Sequence, residues 1–472
     1  MQTVIAIVGG GFSGTMVAVQ LLRQQETALH LCLVNDGYPT GKGIAYSAAS
    51  DVFLLNVHAG RMSAFPDQPH HFVDWLQRQP AFANVPAAEL ETSFMPRRQY
   101  GLYLEEILKE TIQAASGFHK IEVLSTKANG CKATPDGQYA LTLTNGQTLK
   151  AQQVVLATGN FLPAALRCQI PQEAVNSHFF PDPWVPQAWH GLTDQDTIAL
   201  LGTGLTSIDI IMGLLETGFQ GKIHAISSNG LLPRPYQTAE SDSVFSQKVE
   251  KASSLPEVLN LFNQARRQHG KHSWERLVNG IRPHTQQLWR RFSLPDKKRF
   301  MRRFGSLWAV ARHRLPPQVH QVVQEAITRG QLQITAGRLQ AVSTGAQGLQ
   351  LAIQSKTGLW ELDVSRLVTC TGPQQNYQHL TDPLISSLKT QGLLQPHPLG
   401  IGVNATAHGQ LLDRAGKPVP GLFTLGATMR GELWESNAVP ELRQQAQALA
   451  RELLFSGSFL ETEPKTPQAL SS

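Results

Sequence analysis

Twice in this chain an apolar run breaks into a glycine-spaced loop that opens onto a second apolar stretch, and few folds accommodate that pattern. In the first case Val4–Val8 leads into Gly9-Gly10-Gly11-Phe12-Ser13-Gly14 and then the helical pattern Met16–Leu22. A continuous apolar run suits a strand buried on both faces of a parallel sheet. Gly9, Gly11 and Gly14 fit G-x-G-x-x-G. The first permits the tight turn, the second lets a pyrophosphate approach the backbone, and the third lets the helix pack on the strand with its amino terminus facing the phosphates. The next strand, Leu29–Val34, ends at Asn35-Asp36, where a ribose would be held. In the second case Thr197–Leu201 leads into Gly202-Thr203-Gly204-Leu205-Thr206-Ser207 and the pattern Ile208–Leu215, closed by Gly218. Serine takes the helix-packing position. Two such units read as an internal duplication within an α/β chain and imply two dinucleotides. Gly9, Gly11, Phe12, Ser13 and Gly14 face one of them, and Gly202, Gly204, Thr206 and Ser207 the other.

Two short strands end in Thr-Gly, at Thr158-Gly159 and Thr371-Gly372, one downstream of each loop. The 472 residues allow two or three domains, each with its own core. Four cysteines lie far apart without a C-x-x-C pair, which argues against a disulfide framework, a metal site or a redox dithiol. Redox chemistry here would need a cofactor. No stretch is long and apolar enough for a membrane span. Met1-Gln2-Thr3 runs straight into a strand pattern with no basic region or cleavage site, so the expected location is cytoplasmic.

Charge is concentrated. Between Arg266 and Arg314 there are fourteen Lys and Arg against Glu275 and Asp296, an excess of twelve in a chain whose net charge is +6. Trp274, Trp289, Trp308, Phe292, Phe300 and Phe304 are interleaved, a mixture that could suit nucleic acid. The preferred reading is a helical subdomain with an aromatic core and a solvated basic face.

Taken together, the two loops and two Thr-Gly turns resemble the flavoproteins with two Rossmann-like dinucleotide-binding domains, which implies FAD on the first unit and NAD(P)H on the second. Three further stretches are similar to the bacterial FAD-NAD(P)-binding family. They are Gly41–Ser47 with Leu54–Val57 and Arg61–Phe65, then Trp308 with Arg312–Pro317, and finally Gly426 with Arg430–Arg443. The implied organisation is an FAD domain with helical additions over 1–190 and 373–455, an NAD(P) domain over 191–235 and 315–372, a helical insertion over 236–314, and a mobile tail over 456–472. Proline at the first helical position makes Val439-Pro440 a helix start. Its amino terminus, aimed at the flavin ring, would favour negative charge on the reduced form, which brings Gly426, Ala438 and Val439 into the cofactor set. Related flavoproteins often have Gly-Asp where this chain has Gly426-Ala427, and Glu where it has Asn35, leaving the ribose to Asp36 or Asn35. Ser227–Gly230 lacks the arginine that often holds a 2′-phosphate, so the coenzyme is left as NAD(P)H. Arg234 or an arginine of the insertion could substitute.

Without a dithiol, the flavin monooxygenase branch is the main reading: an NAD(P)H-dependent oxidoreductase acting on a small molecule, with the flavin reoxidised by oxygen. The alternative is a flavin-bound sensor that uses the basic insertion to contact an anionic partner. Asn56 within an apolar run, Met62 and Ser63 are candidates for the flavin environment. Thr158, Gly159, Thr371 and Gly372 complete the cofactor set. His178 and His313 are candidate functional histidines, each with a loop-ordering role as its competitor, and no metal site is expected.

Overall fold

The two apolar runs become central strands of separate parallel sheets in the computed structural model, which describes residues 2–24, 27–237, 240–270 and 274–458. In the first sheet Thr3–Val8 lies between Leu29–Asn35 and Gln153–Leu156, both parallel to it. Lys120–Ser125 extends one side, and Pro418–Thr424 with Gln410–Leu412 extends the other. The last strands of the sheet therefore come from a part of the chain more than 250 residues beyond its centre. In the second sheet Thr197–Leu201 lies between Lys222–Ser227 and Arg366–Thr369, again parallel. Leu332–Gly345, Gly348–Ser355 and Gly358–Val364 continue this sheet, the last two pairings antiparallel. Each glycine loop thus sits at the carboxyl end of a central strand where the chain order reverses, the position at which open α/β sheets bind ligands.

Phe12–Leu22 is almost wholly buried because it is covered by Arg97–Ala115 and by the closing helix Val439–Ser458. This last helix runs through residues 456–458, which the sequence reading assigned to a mobile tail. The remainder of that expected tail lies outside the described residues. Phe179–Phe180 also departs from the expected division. Both rings are buried, and the pair forms an edge strand of the second sheet beside Leu367-Val368 although it falls within the stretch given to the first domain. A three-stranded sheet over residues 128–151 was not anticipated from sequence.

The chain leaves the second sheet after Pro235 and rejoins it at Leu315, and these two residues bridge. Between them, among the described residues, six α-helices from Ser243–Glu250 to Gly305–Arg312 enclose Phe245, Leu277, Leu288, Trp289 and Phe292. Trp289 stacks on Trp434 at 4.7 Å and donates from Nε1 to the Gly431 carbonyl at 2.8 Å. Trp289, Phe300 and Trp308 are spent in this docking against the carboxyl-terminal motif, and Trp274 lies against Arg234 and Arg314, while Lys298, Arg299, Arg302 and Arg303 are exposed. Glu275 and Arg314 pair at 2.7 Å with side-chain exposures of 1% and 2%, securing the return point. No helix among the described residues is long and apolar enough to cross a membrane.

Candidate functional site

The two glycine loops are built alike. Gly9 has φ +113°, and a Cβ there would stand 2.1 Å from the Ala157 carbonyl oxygen; Gly202 has φ +121°, and its Cβ would stand 2.3 Å from that of Cys370. Each loop is therefore pressed against the residue just before a Thr-Gly turn, which gives the sequence pairing of the two features a steric cause. The helices that follow are capped by Gly11 and Gly204. Neither has a side-chain cap or an acidic residue in its first turn. A helix amino terminus with no internal acceptor is a ready anion site, so the fold leaves two places where a pyrophosphate fits.

Around the first loop, Gly41 N–H donates to the Gly10 carbonyl at 2.8 Å, and Gly43 abuts Gly11. That packing explains the Gly41-Lys42-Gly43 stretch. Gly426 lies over Ser13, with Ser436 Oγ donating to its carbonyl at 2.5 Å and its N–H donating to Gln445 Oε1 at 3.0 Å. Asn35 requires a correction. Its Oδ1 accepts from Gly10 N–H at 3.0 Å while Nδ2 donates to the Tyr38 carbonyl at 2.8 Å and Thr40 Oγ1 at 3.1 Å. The amide thus braces the loop with both of its hydrogens engaged, and Asp36 beside it is exposed.

Gly202, Gly204, Thr206, Thr371 and Gly372 line a cavity of about 1070 Å³, together with Asn56 and Met62 and the closing-helix start at Asn437, Ala438 and Val439. This space connects the second loop to the edge expected for the flavin. Ser207 is not part of it. It is fully buried, and its Oγ donates to the Gly202 carbonyl at 2.7 Å, holding the turn from inside. Ser63 is likewise corrected: its hydroxyl donates to the Gln68 carbonyl at 2.6 Å and accepts from Phe65 N–H at 3.1 Å, so it orders the loop rather than facing a cofactor. Thr158 faces the buried Tyr377 phenol, and Gly159 is exposed beside it.

The two histidines separate. His178 Nδ1 lies 2.9 Å from the Ser365 carbonyl, against Gly348 and away from the cavity, so its role is to hold the strand edge. His313 lines the cavity. Burial, then Arg312, hold its imidazole down at about 4 against the pull of Glu435, so it is neutral near pH 7. Arg312 bonds Glu435 at 3.3 Å and Glu441 at 3.4 Å, and Trp308 Nε1 donates to Glu435 Oε1 at 2.8 Å. All four residues fall inside motifs read from sequence, but their pairing spans more than 120 positions and left no local signal. Arg338 was also missed. It lines the cavity from Leu332–Gly345, the parallel neighbour of Lys222–Ser227, whose partner for Ser227 is Ala336. Arg234, the substitute considered from sequence, instead lies over Trp274. His30, Cys32 and Glu122 bring three potential metal ligands within 4.8 Å of one another on adjacent strands, a grouping not anticipated.

Residues 6–161 match the family model described as FAD-NAD(P)-binding. A 248-residue stretch is 27% identical to nitrosuccinic acid synthase of Aspergillus oryzae (strain ATCC 42149 / RIB 40), covering 49% of this chain and 38% of that relative. Among solved structures, the ornithine N-hydroxylase of Kutzneria sp. 744, held with reduced FAD, NADP+ and L-ornithine, superposes with TM-score 0.64 at 12% identity over 97% of this chain and 100% of its own. The FAD-bound cadaverine monooxygenase of Erwinia amylovora gives 0.64 at 14% identity over 95% and 94%. L-lysine 6-monooxygenase of Pseudomonas syringae gives 0.62 at 15% identity over 97% and 100%. Residues 6–161 thus form an FAD-NAD(P)-binding domain, and the chain has the fold of the flavoproteins that carry two dinucleotide-binding domains.

Proposed function

We propose that this chain is an NAD(P)H-dependent flavin monooxygenase that hydroxylates the nitrogen of a small amine-bearing molecule. The observation that carries the reading is the cavity of about 1070 Å³ in which the second glycine loop, Asn56, Met62 and the start of the closing helix face one space. A nicotinamide extended from Gly202–Thr206 and a flavin extended from Gly9–Gly14 would meet there. The relatives named for ornithine, lysine and cadaverine favour an amine as substrate. Bound FAD, reduced by NAD(P)H, supplies two electrons to dioxygen, one oxygen atom going to the substrate nitrogen and the other leaving as water.

The chain's own residues have defined tasks in this reading. The uncapped helix starts at Gly11 and Gly204 hold the two pyrophosphates. The Asn437–Val439 turn sets a positive helix terminus toward the flavin edge. Neutral His313 lines the coenzyme side without adding a fourth cation to Arg312, Arg282 and Arg430. Arg338, beside Ser227–Asn229, is positioned for a 2′-phosphate, which favours NADPH. The test is stopped-flow reduction of the FAD-loaded chain by NADPH and NADH without oxygen, then oxygen with and without an amine, with product identified by mass. Reduction by neither coenzyme sinks the proposal and favours the sensor reading.

A further inference from the structure

On the first sheet, outside the coenzyme cavity, three side chains with metal-ligand chemistry converge. His30 and Cys32 lie two positions apart on Leu29–Asn35 and so share a face, and Cys32 stands opposite Glu122 in the parallel register with Lys120–Ser125. Leu29, Leu31 and Leu33 take the other face, against the helices Phe12–Leu22 and Arg97–Ala115. His30 Nε2 lies 3.4 Å from Cys32 Sγ and 3.0 Å from Glu122 Oε1, and the three ligand atoms all fall within 4.8 Å of one another. The cysteine spacing gave no sign of this grouping, because it joins a glutamate 92 positions from the histidine through strand register alone.

Hydrogen bonding does not satisfy the trio at once, because a single nitrogen faces both partners. If Nε2 carries a proton it donates to Glu122, and the thiol hydrogen has no acceptor among the described residues. If Nε2 carries the lone pair it accepts from the thiol and opposes a carboxylate oxygen. A cation resolves the conflict, since thiolate, imidazole and carboxylate all donate to it. With bonds of about 2.3 Å to sulfur and about 2.0–2.2 Å to nitrogen and oxygen, a tetrahedral zinc-class ion holds its ligand atoms roughly 3.3–3.6 Å apart. The 3.4 Å contact already matches, and the 3.0 Å contact has only a few tenths of an ångström to open. The ion also has a way in. Cys32 is buried, but the His30 and Glu122 side chains remain 17% and 37% exposed. Lys120 Nζ, 2.5 Å from Glu122 Oε1, competes for the carboxylate, yet its side chain is 58% exposed and can turn into solvent.

We propose that His30, Cys32 and Glu122 form a binding site for a zinc-class divalent cation, held by Nε2, Sγ and a carboxylate oxygen with water in the fourth position. The ion ties the edge strand Lys120–Ser125 to its neighbour Leu29–Asn35. Burial, then Glu122, push the Cys32 thiol up to about 11 against the pull of Lys120, so the metal meets a neutral thiol near pH 7. One metal–sulfur bond forms as one S–H bond breaks, the proton leaves to solvent, and no electron is transferred. Thiolate and imidazole select this class of ion over calcium and magnesium, which prefer oxygen donors. Three protein ligands and a water make the ion exchangeable, so occupancy follows the free metal concentration. The site is independent of the reaction proposed for the flavin.

The test uses the FAD-loaded full chain, freed of metal by chelator and gel filtration and titrated with Co²⁺, whose d–d bands lie at longer wavelengths than oxidised flavin absorbs. One Co²⁺ per chain is expected, with the intense bands of a tetrahedral, thiolate-bound ion that Zn²⁺ or EDTA abolishes. The bands should vanish in C32S, and H30Q and E122Q should each weaken Co²⁺ at least tenfold. C168S, which alters a partly exposed cysteine elsewhere, should leave them unchanged. Thermal midpoint should rise with free Zn²⁺ in the wild type and stay flat in C32S at equal flavin content. If C32S does not retain flavin, H30Q and E122Q, whose side chains reach solvent, carry the comparison. Bands that persist in C32S overturn the proposal. So does unchanged Co²⁺ affinity in both H30Q and E122Q, a weak octahedral spectrum alone, or no saturation up to roughly 1 mM Co²⁺.

Discussion

Gly14→Ala is the most direct perturbation of the first loop. A Cβ at Gly14 would lie 1.9 Å from the Gly9 carbonyl oxygen and 3.1 Å from Ile7 Cγ2, and such contacts essentially never fall below 3.0 Å. Loop and helix must therefore part by at least 1.1 Å, the difference between the two distances. Overpacking of this kind costs about 1–3 kcal/mol of stability. The displaced groups are also the N–H donors at the start of Phe12–Leu22, and a hydrogen bond to a charged acceptor contributes about 1.5–3 kcal/mol. Losing one such bond to the pyrophosphate lowers FAD affinity roughly ten- to hundredfold. The equivalent position in the second loop behaves differently, because Ser207 already has room and a 2.7 Å bond to the Gly202 carbonyl. Ser207→Ala should cost about 0.5–1.5 kcal/mol and leave flavin content unchanged. The assays are flavin-to-protein ratio after gel filtration, FAD affinity of the apoprotein by fluorescence, and thermal midpoint. Stoichiometric flavin in G14A with affinity within twofold of wild type would refute the role given to this loop.

Other outcomes follow from individual contacts. Burial pushes the Glu275 carboxyl up against the opposing pull of Arg314, and Glu275→Gln leaves a buried guanidinium uncompensated. The loss should be about 3–5 kcal/mol, and an E275L/R314M pair should recover most of the thermal midpoint. His313 sits at about 4 in the fold and near 6.5 when unfolded, so between those values the unfolded chain takes up a proton that the folded chain refuses. Stability should fall as pH drops from 6.5 toward 4, and H313Q should flatten that slope in urea midpoints measured at pH 7 and 5. Arg338→Gln should raise KM for NADPH roughly tenfold and leave that for NADH within twofold; equal changes would remove Arg338 from the 2′-phosphate site.

Sequence carried the parts of this site that are local. Gly9 and Gly202 were legible because a strand, a positive-φ turn and a helix leave their mark within a dozen residues. The closing helix was legible from Val439-Pro440, and the aromatic core of the insertion from the tryptophans and phenylalanines interleaved with its basic residues. What depended on distant partners was not. Asn35 looked like a ribose ligand until Gly10 and Thr40 claimed its amide, and Ser63 looked like a flavin contact until Gln68 and Phe65 claimed its hydroxyl. His178 was drawn from loop chemistry, whereas the Ser365 carbonyl, 187 positions away, determines its use. Arg338 escaped notice because its relevance comes from strand adjacency, its strand lying beside Lys222–Ser227 across the whole insertion.

The central claim is that two glycine loops bring NAD(P)H and FAD into one space. The measurement that tests it is the anaerobic mixing of FAD-loaded protein with NADPH while flavin absorbance is followed, with G14A and a loop-two variant, Gly204→Val, alongside. The account expects rapid bleaching in the wild type, little bound flavin in G14A, and full flavin with slow reduction in G204V. Flavin that stays oxidised in the wild type, or that is reduced at the same rate in G204V, would contradict it.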